Sequence, residues 1–558
     1  MVFFETAGEN LANTRTLYLR IIAISYCIAF ISLYPQIKGL YGEDGVIPVS
    51  DHVKGNAASW EELSTNPHLL WISSKIGLPV DLWMEILCLV GGLFGILASL
   101  FPIVGNKFIF VFLWLAYLSM YSVGKTFLWF QWDILLLEAG FLAILAAPSN
   151  ARYFWKPKPR DHLCMMLIRW LLFRMMFASG VVKLQSKCPT WWGLTALPIH
   201  YESQCIPTPL AWYAYNVQGE GSILHKLSVV MTYLTEIGLP FFFFAPTKTL
   251  RKITFACQVQ LMIAIMVTGN YNFFNLLYIG LCISLIDDSW LRRRNIENIE
   301  DKNSEDLSPS RTANMIGNLI NLVFVGSLIY YTIIYFFKYN NGILDVSVTF
   351  TKSEFEKFVS DIGTPYGIIL GGTALAFSFI ISLFKSIVPV HHSTSQHVDS
   401  RMTTKLWDVC STCLHGLIAL FIFGISLPVF TRGVSQQVPS FAQKFTNDPV
   451  IQGATTLNYN LQLVSSYGLF RRMTGVGGRP EVIIEGSISE SGPWKEYDFM
   501  YKPGNLTEAP RFCLPHQPRL DWQMWFAALG TYQHNPWLVS LAYRILQGKF
   551  CENIEQRS

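Results

Sequence analysis

Leu163-Cys-Met-Met-Leu-Ile-Arg-Trp-Leu-Leu-Phe-Arg-Met-Met-Phe-Ala-Ser-Gly-Val-Val-Lys-Leu184 is an apolar run of transmembrane length that carries two arginines and a lysine. It empties into a polar, tryptophan-bearing stretch, Gln185-Ser-Lys-Cys-Pro-Thr-Trp-Trp192, and then into His200-Tyr-Glu-Ser-Gln-Cys-Ile-Pro-Thr-Pro209. A soluble core helix would not need so long an apolar face. A lipid-exposed helix would not tolerate so many cations at mid-depth, because an unpaired charge there costs several kcal/mol. The run therefore reads as a membrane helix whose charged residues are functional candidates.

The rest of the chain agrees. Of 558 residues 51% are hydrophobic, 15% aromatic and only 14% charged, against about a quarter charged in soluble domains. A net charge of +4 spread over short connections excludes nucleic acid as a partner class. Eleven spans are expected, near Leu17–Ile37, Leu82–Val104, Phe108–Val123, Phe127–Ala147, Leu163–Val182, Leu224–Ala245, Ile253–Val267, Phe273–Ile286, Met315–Phe337, Tyr366–Val388 and Leu406–Leu427. The first reads as a signal anchor, since it contains Arg20 and lacks a small-residue cleavage site. Ile253–Val267 and Phe273–Ile286 are short for a crossing. They lie between two basic connections, however, which requires an even number of passes between them.

Arg152, Lys156, Lys158 and Arg160, then Lys248, Arg251 and Lys252, then Arg292, Arg293 and Arg294, then Lys385, Arg401 and Lys405 fall in alternate connections. By the positive-inside rule these are cytosolic, which puts the N-terminus in the cytosol and everything beyond Leu427 on the far side. Four of the eleven cysteines lie outside the spans: Cys188 and Cys205 in the loop, and Cys513 and Cys551 in the tail. Both segments fall on that far side, as does the one glycosylation acceptor, Asn505-Leu-Thr507. An oxidising lumen explains all three.

The fold class expected is thus a helical polytopic membrane protein of about eleven spans with a small C-terminal luminal β-rich domain. Residues 1–290 form an N-terminal bundle with a luminal loop at 184–222. Residues 291–314 are a charged, serine-rich cytosolic linker, 315–428 a three-span block, and 429–558 the luminal domain. In that domain Arg479 to Glu490 alternates like a half-buried strand, Ser491-Gly-Pro493 signals a turn, and Trp494 to Tyr501 reads as the return strand. Leu520–Leu529 and Trp537–Leu546 read as helices.

Candidate functional residues are the intramembrane polar set Gln131, Asp133 and Glu138 of the fourth span with Arg169 and Arg174 of the fifth. Glu138 and Arg174 match in depth, so an ion pair locking the bundle is the first reading. A proton pathway or a lipid or substrate pocket are the others. Cys188 with Cys205, and Cys513 with Cys551, are expected as structural disulfides. Cys410-x-x-Cys413 lies inside an apolar span and lacks the strand-to-helix setting of a redox motif. His200 and Glu202 have no further ligands at metal spacing, so no metal and no cofactor are expected. Trp191, Trp192 and Trp212 suit a membrane-interface belt or a surface for client proteins. Lys183, at the end of its helix, is either an interface lysine or, if desolvated, a general base. No G-x-S-x-G elbow occurs.

These residues resemble a family. Leu171 to Leu184, Cys188 to Leu197, His200 to Pro209, Phe130-Gln-Trp-Asp-Ile-Leu-Leu-Leu-Glu138, Thr268-Gly-Asn-Tyr-Asn-Phe-Phe-Asn275 and His516 to Leu529 look like the lipase maturation factors. The resemblance implies a non-enzymatic, multi-pass folding factor of the endoplasmic reticulum. Its partners would be immature secretory proteins, dimeric lipases among them, with membrane lipids around the bundle. A fainter similarity, Ser179-Gly-Val-Val-Lys-Leu184, is to the membrane domain of vitamin K-dependent carboxylases and implies an enzyme with Lys183 as base. A transporter using Asp133, Glu138 and the arginines is the third expectation.

Overall fold

The computed structural model describes residues 10–51, 53, 68–150, 155–218, 222–291, 311–340, 343–388, 399–434, 449–505, 507–549 and 554–556. Eleven main helices follow the expected spans: α1 (Ala12–Leu33), α2 (Val80–Leu100), α3 (Lys107–Gly124), α4 (Gln131–Ala146), α5 (Asp161–Gln185), α6 (Ile223–Tyr233), α7 (Lys248–Thr268), α8 (Phe274–Cys282), α9 (Arg311–Phe336), α10 (Thr364–Ile387) and α11 (Asp399–Val434). Among the described residues nine helical stretches are long and apolar enough to cross a membrane, α6 by running on without a break to Phe244; α4 and α8 are the shorter two. α7 recovers full length by starting at Lys248, five residues before the apolar run begins.

α5 is the axis. Of its most apolar window 94% is buried, against 6% for α9, which lies on the outside. α10 sits on α5 through a row of glycines: Gly363, Gly367 and Gly371 leave room for Phe177, Phe173 and Trp170, whose rings would stand within 2.7 Å of any added Cβ. The indole of Trp170 donates to Ser426 of α11 (2.8 Å). Helices can approach this closely in a membrane because small residues let backbones and rings meet.

One face of the bundle gathers charge. Arg15 pairs with Asp161 (2.7 Å), Lys248 with Asp287 (3.1 Å) and Lys385 with His162 (2.7 Å), while Asp288 accepts from the backbone of Asn13 and Thr14. The linker expected at 291–314 lies outside the described residues over 292–310. The opposite face carries the 184–222 segment, the hairpin β1 (Phe337–Asn340) and β2 (Ile343–Val346), and the tail. The 184–222 segment is not an open loop. It folds into short helices Pro189–Trp192, Ala196–Ser203 and Pro209–Gln218.

The tail holds less strand than its alternation suggests. β3 (Glu485–Gly486) pairs with β4 (Lys495–Phe499) at Glu485↔Glu496 and Gly486↔Lys495, and β4 pairs with β5 (Ile554–Gln556). The alternation is real: Val482 and Ile484 turn inward while Ile483 is exposed. Those inward residues pack on the common core, however, rather than on a separate sandwich. α12 (Arg519–Ala527) and α13 (Pro536–Leu546) complete the tail, close to the expected helices. The tail is continuous with the bundle. Gln36 of the α1 end bonds the Gln517 carbonyl and accepts from the Arg519 N–H, and Ser32 bonds both His516 and the Gln517 N–H.

Candidate functional site

Three buried charged groups line the tail-side half of α4 and α5, and each is completed from far along the chain. Glu138 and Arg174 do pair, both at most 2% exposed. The Glu138 carboxylate also accepts from the Tyr467 hydroxyl (2.6 Å) and the Ser465 N–H (3.1 Å), while Arg174 donates to the Ser465 carbonyl (3.1 Å). Asp133 accepts from Tyr117 (2.5 Å) and takes both guanidinium nitrogens of Arg519 (2.9 and 3.1 Å). Lys183 is 1% exposed and donates to Glu236 (2.5 Å), to the Ser179 carbonyl (3.2 Å) and to the Leu469 carbonyl (3.1 Å).

Lys183 is therefore no interface lysine, although its helix ends two residues later. Its charge is met by an acid on the neighbouring span. Glu236 lies in a five-residue π-helical bulge, Leu234–Gly238, between α6 and a 3₁₀ turn opened by Leu239-Pro240. Such a bulge turns side chains off the regular helical face. Gly180 permits the approach, because a Cβ there would meet Ile237 at 2.6 Å and Glu236 at 2.9 Å. The rings of Trp191 and Phe470 lie 5.4 and 5.7 Å from the ammonium, where their faces favour a cation.

Two of the three share a strap, residues 463–471, which runs along α5 from its middle to its end. Ser465 meets Arg174, Leu469 meets Ser179 and Lys183, and the Arg471 carbonyl accepts from Ser186 (2.8 Å). The Gly468 N–H donates to Gln131 (3.2 Å). Arg174 is eleven residues from the end of α5, so the strap reaches about 16 Å down the helix at 1.5 Å per residue. Non-helical backbone is tolerated at such depth only where protein encloses it. Here Glu138, Arg174 and Lys183, with the neutral side chains of Gln131, Ser179 and Ser186, satisfy the strap's N–H and C=O groups.

Above the strap, Arg479 holds the 184–222 segment by donating to the carbonyls of Glu202, Gln204 and Cys205. Asn270 joins the Pro207 and Arg511 carbonyls and the Cys513 N–H. His200 stacks on Tyr271 and meets its hydroxyl at 3.3 Å. Burial, helped by the nearby Lys183, pushes its pKa down to about 4. Glu202 is exposed, and no metal-ligating group of three forms among the described residues.

Other expected residues fall elsewhere. Arg169 donates to the Ser284 carbonyl (2.6 Å) inside the bundle rather than reaching for the surface. Trp191 is buried with its indole on the Phe470 carbonyl (3.1 Å), so it belongs to neither an interface belt nor a client surface. Trp192 is half-buried, and Trp212 is 61% exposed. The Cys188–Cys205 bridge is not formed. Cys188 sulfur faces Thr190 (3.1 Å), whereas Cys205 sulfur points to the Trp522 carbonyl (3.8 Å). Arg479 and Asn270 tie the segment down instead. Cys513 is a buried free thiol, and its expected partner Cys551 lies outside the described residues. Asn505 is exposed, and its side-chain oxygen accepts from Thr507 (2.8 Å).

Reasoning from the sequence missed Glu236, Arg519 and Tyr467. Glu236 was within reach, being an acid inside an apolar span like Glu138. Nothing local marks the other two.

Two family models match the chain: the lipase maturation factor transmembrane domain over residues 13–293 and the lipase maturation factor C-terminal domain over residues 463–552. The second match begins where the strap begins. Lipase maturation factor 2 of Xenopus laevis is 42% identical over 534 residues, covering 94% of this chain and 72% of that one. The human protein of the same name is 41% identical over 559 residues, covering 97% and 75%. Lipase maturation factor 1 of Mus musculus is 25% identical over 550 residues, covering 96% and 77%. No solved structure matches the chain.

Proposed function

The chain belongs to the lipase maturation factor family, and from that premise we propose that it is a non-enzymatic maturation factor for lipases in the endoplasmic-reticulum membrane. The N-terminus is cytosolic, and the strap, the 184–222 segment and the tail face the lumen. The observation that carries this reading is the joining of those three to one another and to the bundle: Ser465 and Tyr467 on the Glu138–Arg174 pair, the Leu469 carbonyl on Lys183, Arg479 on the carbonyls of the 184–222 segment, and Arg519 on Asp133. A rigid face of that kind holds exposed aromatic groups in fixed positions; Trp212, Tyr213, Trp494, Phe512 and Tyr532 are all exposed on it. Aromatic surfaces rimmed by polar groups suit a partially folded partner. Lys183 supports the same reading, since its donors are spent on Glu236 and two carbonyls.

The test is re-expression in cells lacking the protein, with secreted lipase activity as the readout. Lys183→Met with Glu236→Gln removes both charges and leaves the volume, a change that buried pairs generally survive. Secretion is expected to persist. Its loss in a double variant that remains abundant and protease-resistant would overturn the non-enzymatic role. Trp212→Ala with Tyr213→Ala should lower the lipase captured by crosslinking. An endoglycosidase-sensitive mobility step, absent in Asn505→Gln, reads the orientation.

A further inference from the structure

We propose that Cys410 and Cys413 are a paired S-acylation site at the cytosolic margin of α11, taking long-chain acyl groups from acyl-coenzyme A. Among the described cysteines, Cys27, Cys88, Cys164, Cys188, Cys205, Cys282 and Cys513 are buried and Cys257 is half-buried. Only Cys410 and Cys413 are exposed. Their placement on the helix explains why. Thr412, His415, Ala419 and Ile422 turn toward the bundle, and Thr412 meets Ser386 of α10 at 2.8 Å. Leu406, Cys410, Cys413, Leu414, Leu417 and Leu420 recur at helical spacing on the other side, all exposed. That stripe faces lipid. Residues three apart lie one above the other on a helix, so both sulfurs open onto the same lipid-facing strip.

Their depth is set by neighbours. Arg160 donates to Ser411 (2.9 Å), Lys385 meets His162 (2.7 Å) next to this end of α10, and Lys405 lies about one turn before Cys410. The thiols thus stand where the charged margin gives way to the apolar face. A cysteine at that level is reached both by an acyl donor in the cytosol and by the hydrocarbon that must receive the chain. In the reaction the cysteine sulfur attacks the thioester carbonyl of acyl-coenzyme A. A new sulfur–acyl bond forms as the acyl–sulfur bond to coenzyme A breaks, and the cysteine's proton leaves with the coenzyme A thiol. No electrons are exchanged and no oxidant is needed. The attached chains run along Leu414, Leu417 and Leu420 and change the lipid face of the α10–α11 pair that covers α5.

The inference rests on the orientation proposed above, and the test separates the two. Full-length protein from cultured cells is denatured and its free thiols are blocked with N-ethylmaleimide. Thioesters are then cleaved with neutral hydroxylamine, and a maleimide-linked polyethylene glycol is added. The expected result is two hydroxylamine-dependent mass steps in the parent chain, one in Cys410→Ala or Cys413→Ala, none in the double variant, and two in Cys257→Ala. Absence of any hydroxylamine-dependent step in the parent, or its persistence in the double variant, overturns the proposal. The Asn505 glycan is read on the same blot. A glycan step without a polyethylene-glycol step refutes acylation and leaves the orientation standing; loss of both refutes both.

Discussion

Arg519→Met is the most informative single change. Arg519 and Asp133 are each no more than 1% exposed, and the guanidinium also donates to the Phe127 carbonyl. The substitution keeps the side-chain volume but leaves a buried carboxylate with only the Tyr117 hydroxyl and the Phe130 N–H. Removing one partner of a buried pair costs about 3–5 kcal/mol, or roughly two to nearly four orders of magnitude in an equilibrium constant. The equilibrium at issue is local: docking of α12 and the strap on the bundle against their release. Release exposes the tail backbone to protease, so the rate of limited tail cleavage in mild detergent reports it when opening is fast relative to cleavage. Arg519→Met should raise that rate by at least a hundredfold, and Asp133→Asn added to it should restore most of the protection. Equal cleavage of the single variant and the parent would refute the argument. So would a double variant no better protected than the single one, because the penalty would then not come from the stranded charge.

Tyr467→Phe removes the 2.6 Å hydrogen bond to Glu138 while Arg174 and the Ser465 N–H remain. A bond to a charged group is worth about 1.5–3 kcal/mol, so thermal unfolding should fall by that amount and no more. Gly180→Ala drives a Cβ to 2.6 Å from Ile237 and 3.0 Å from the Glu236 backbone. Overpacking of about 1–3 kcal/mol is expected, and Lys183→Met with Glu236→Gln should relieve little of it, since the clash is steric. The pH dependence follows from groups on the tail side. Burial, with Lys183 or Arg519 nearby, holds His200 and His516 at about 4, so the stability they contribute is present above 6.5 and is lost as pH falls toward 4. Burial raises Asp521 to about 6, opposed by the Tyr501 and Lys502 N–H groups; its contribution is present below its unfolded value of 3.8 and is lost as pH rises through 6. His68, in the connection between α1 and α2, is held at about 4 by burial in the same way. Between pH 6 and 5 three histidines outweigh one carboxyl, and unfolding takes up about two protons. Stability should therefore fall on acidification by about 2.5 kcal/mol per pH unit. Denaturant titrations at pH 6 and 5 check the sign, and a gain in stability at pH 5 would refute it.

Sequence by itself determined that the chain is a helical polytopic membrane protein and where its apolar runs lie, because the apolar length needed to cross a bilayer is a local property of each run. It also matched Glu138 to Arg174, since depth can be counted along two adjacent helices joined by a short connection. The grouping of the 184–222 segment and the tail on one face followed from the odd and even counting of passes. Tertiary structure alone decided the remaining partners. Asp133 meets Arg519 across 386 residues and Lys183 meets Glu236 across 53, and no periodicity links positions so far apart. Alternation in the tail marked which residues turn inward but not what they turn onto, for Val482 and Ile484 pack on the common core instead of a second sheet. Cysteines can be counted in a sequence, but a disulfide needs two sulfurs aimed at each other, and Cys188 and Cys205 are aimed at different neighbours. A membrane helix must bury its charges; which groups meet them is settled only when the distant strap and α12 pack against it.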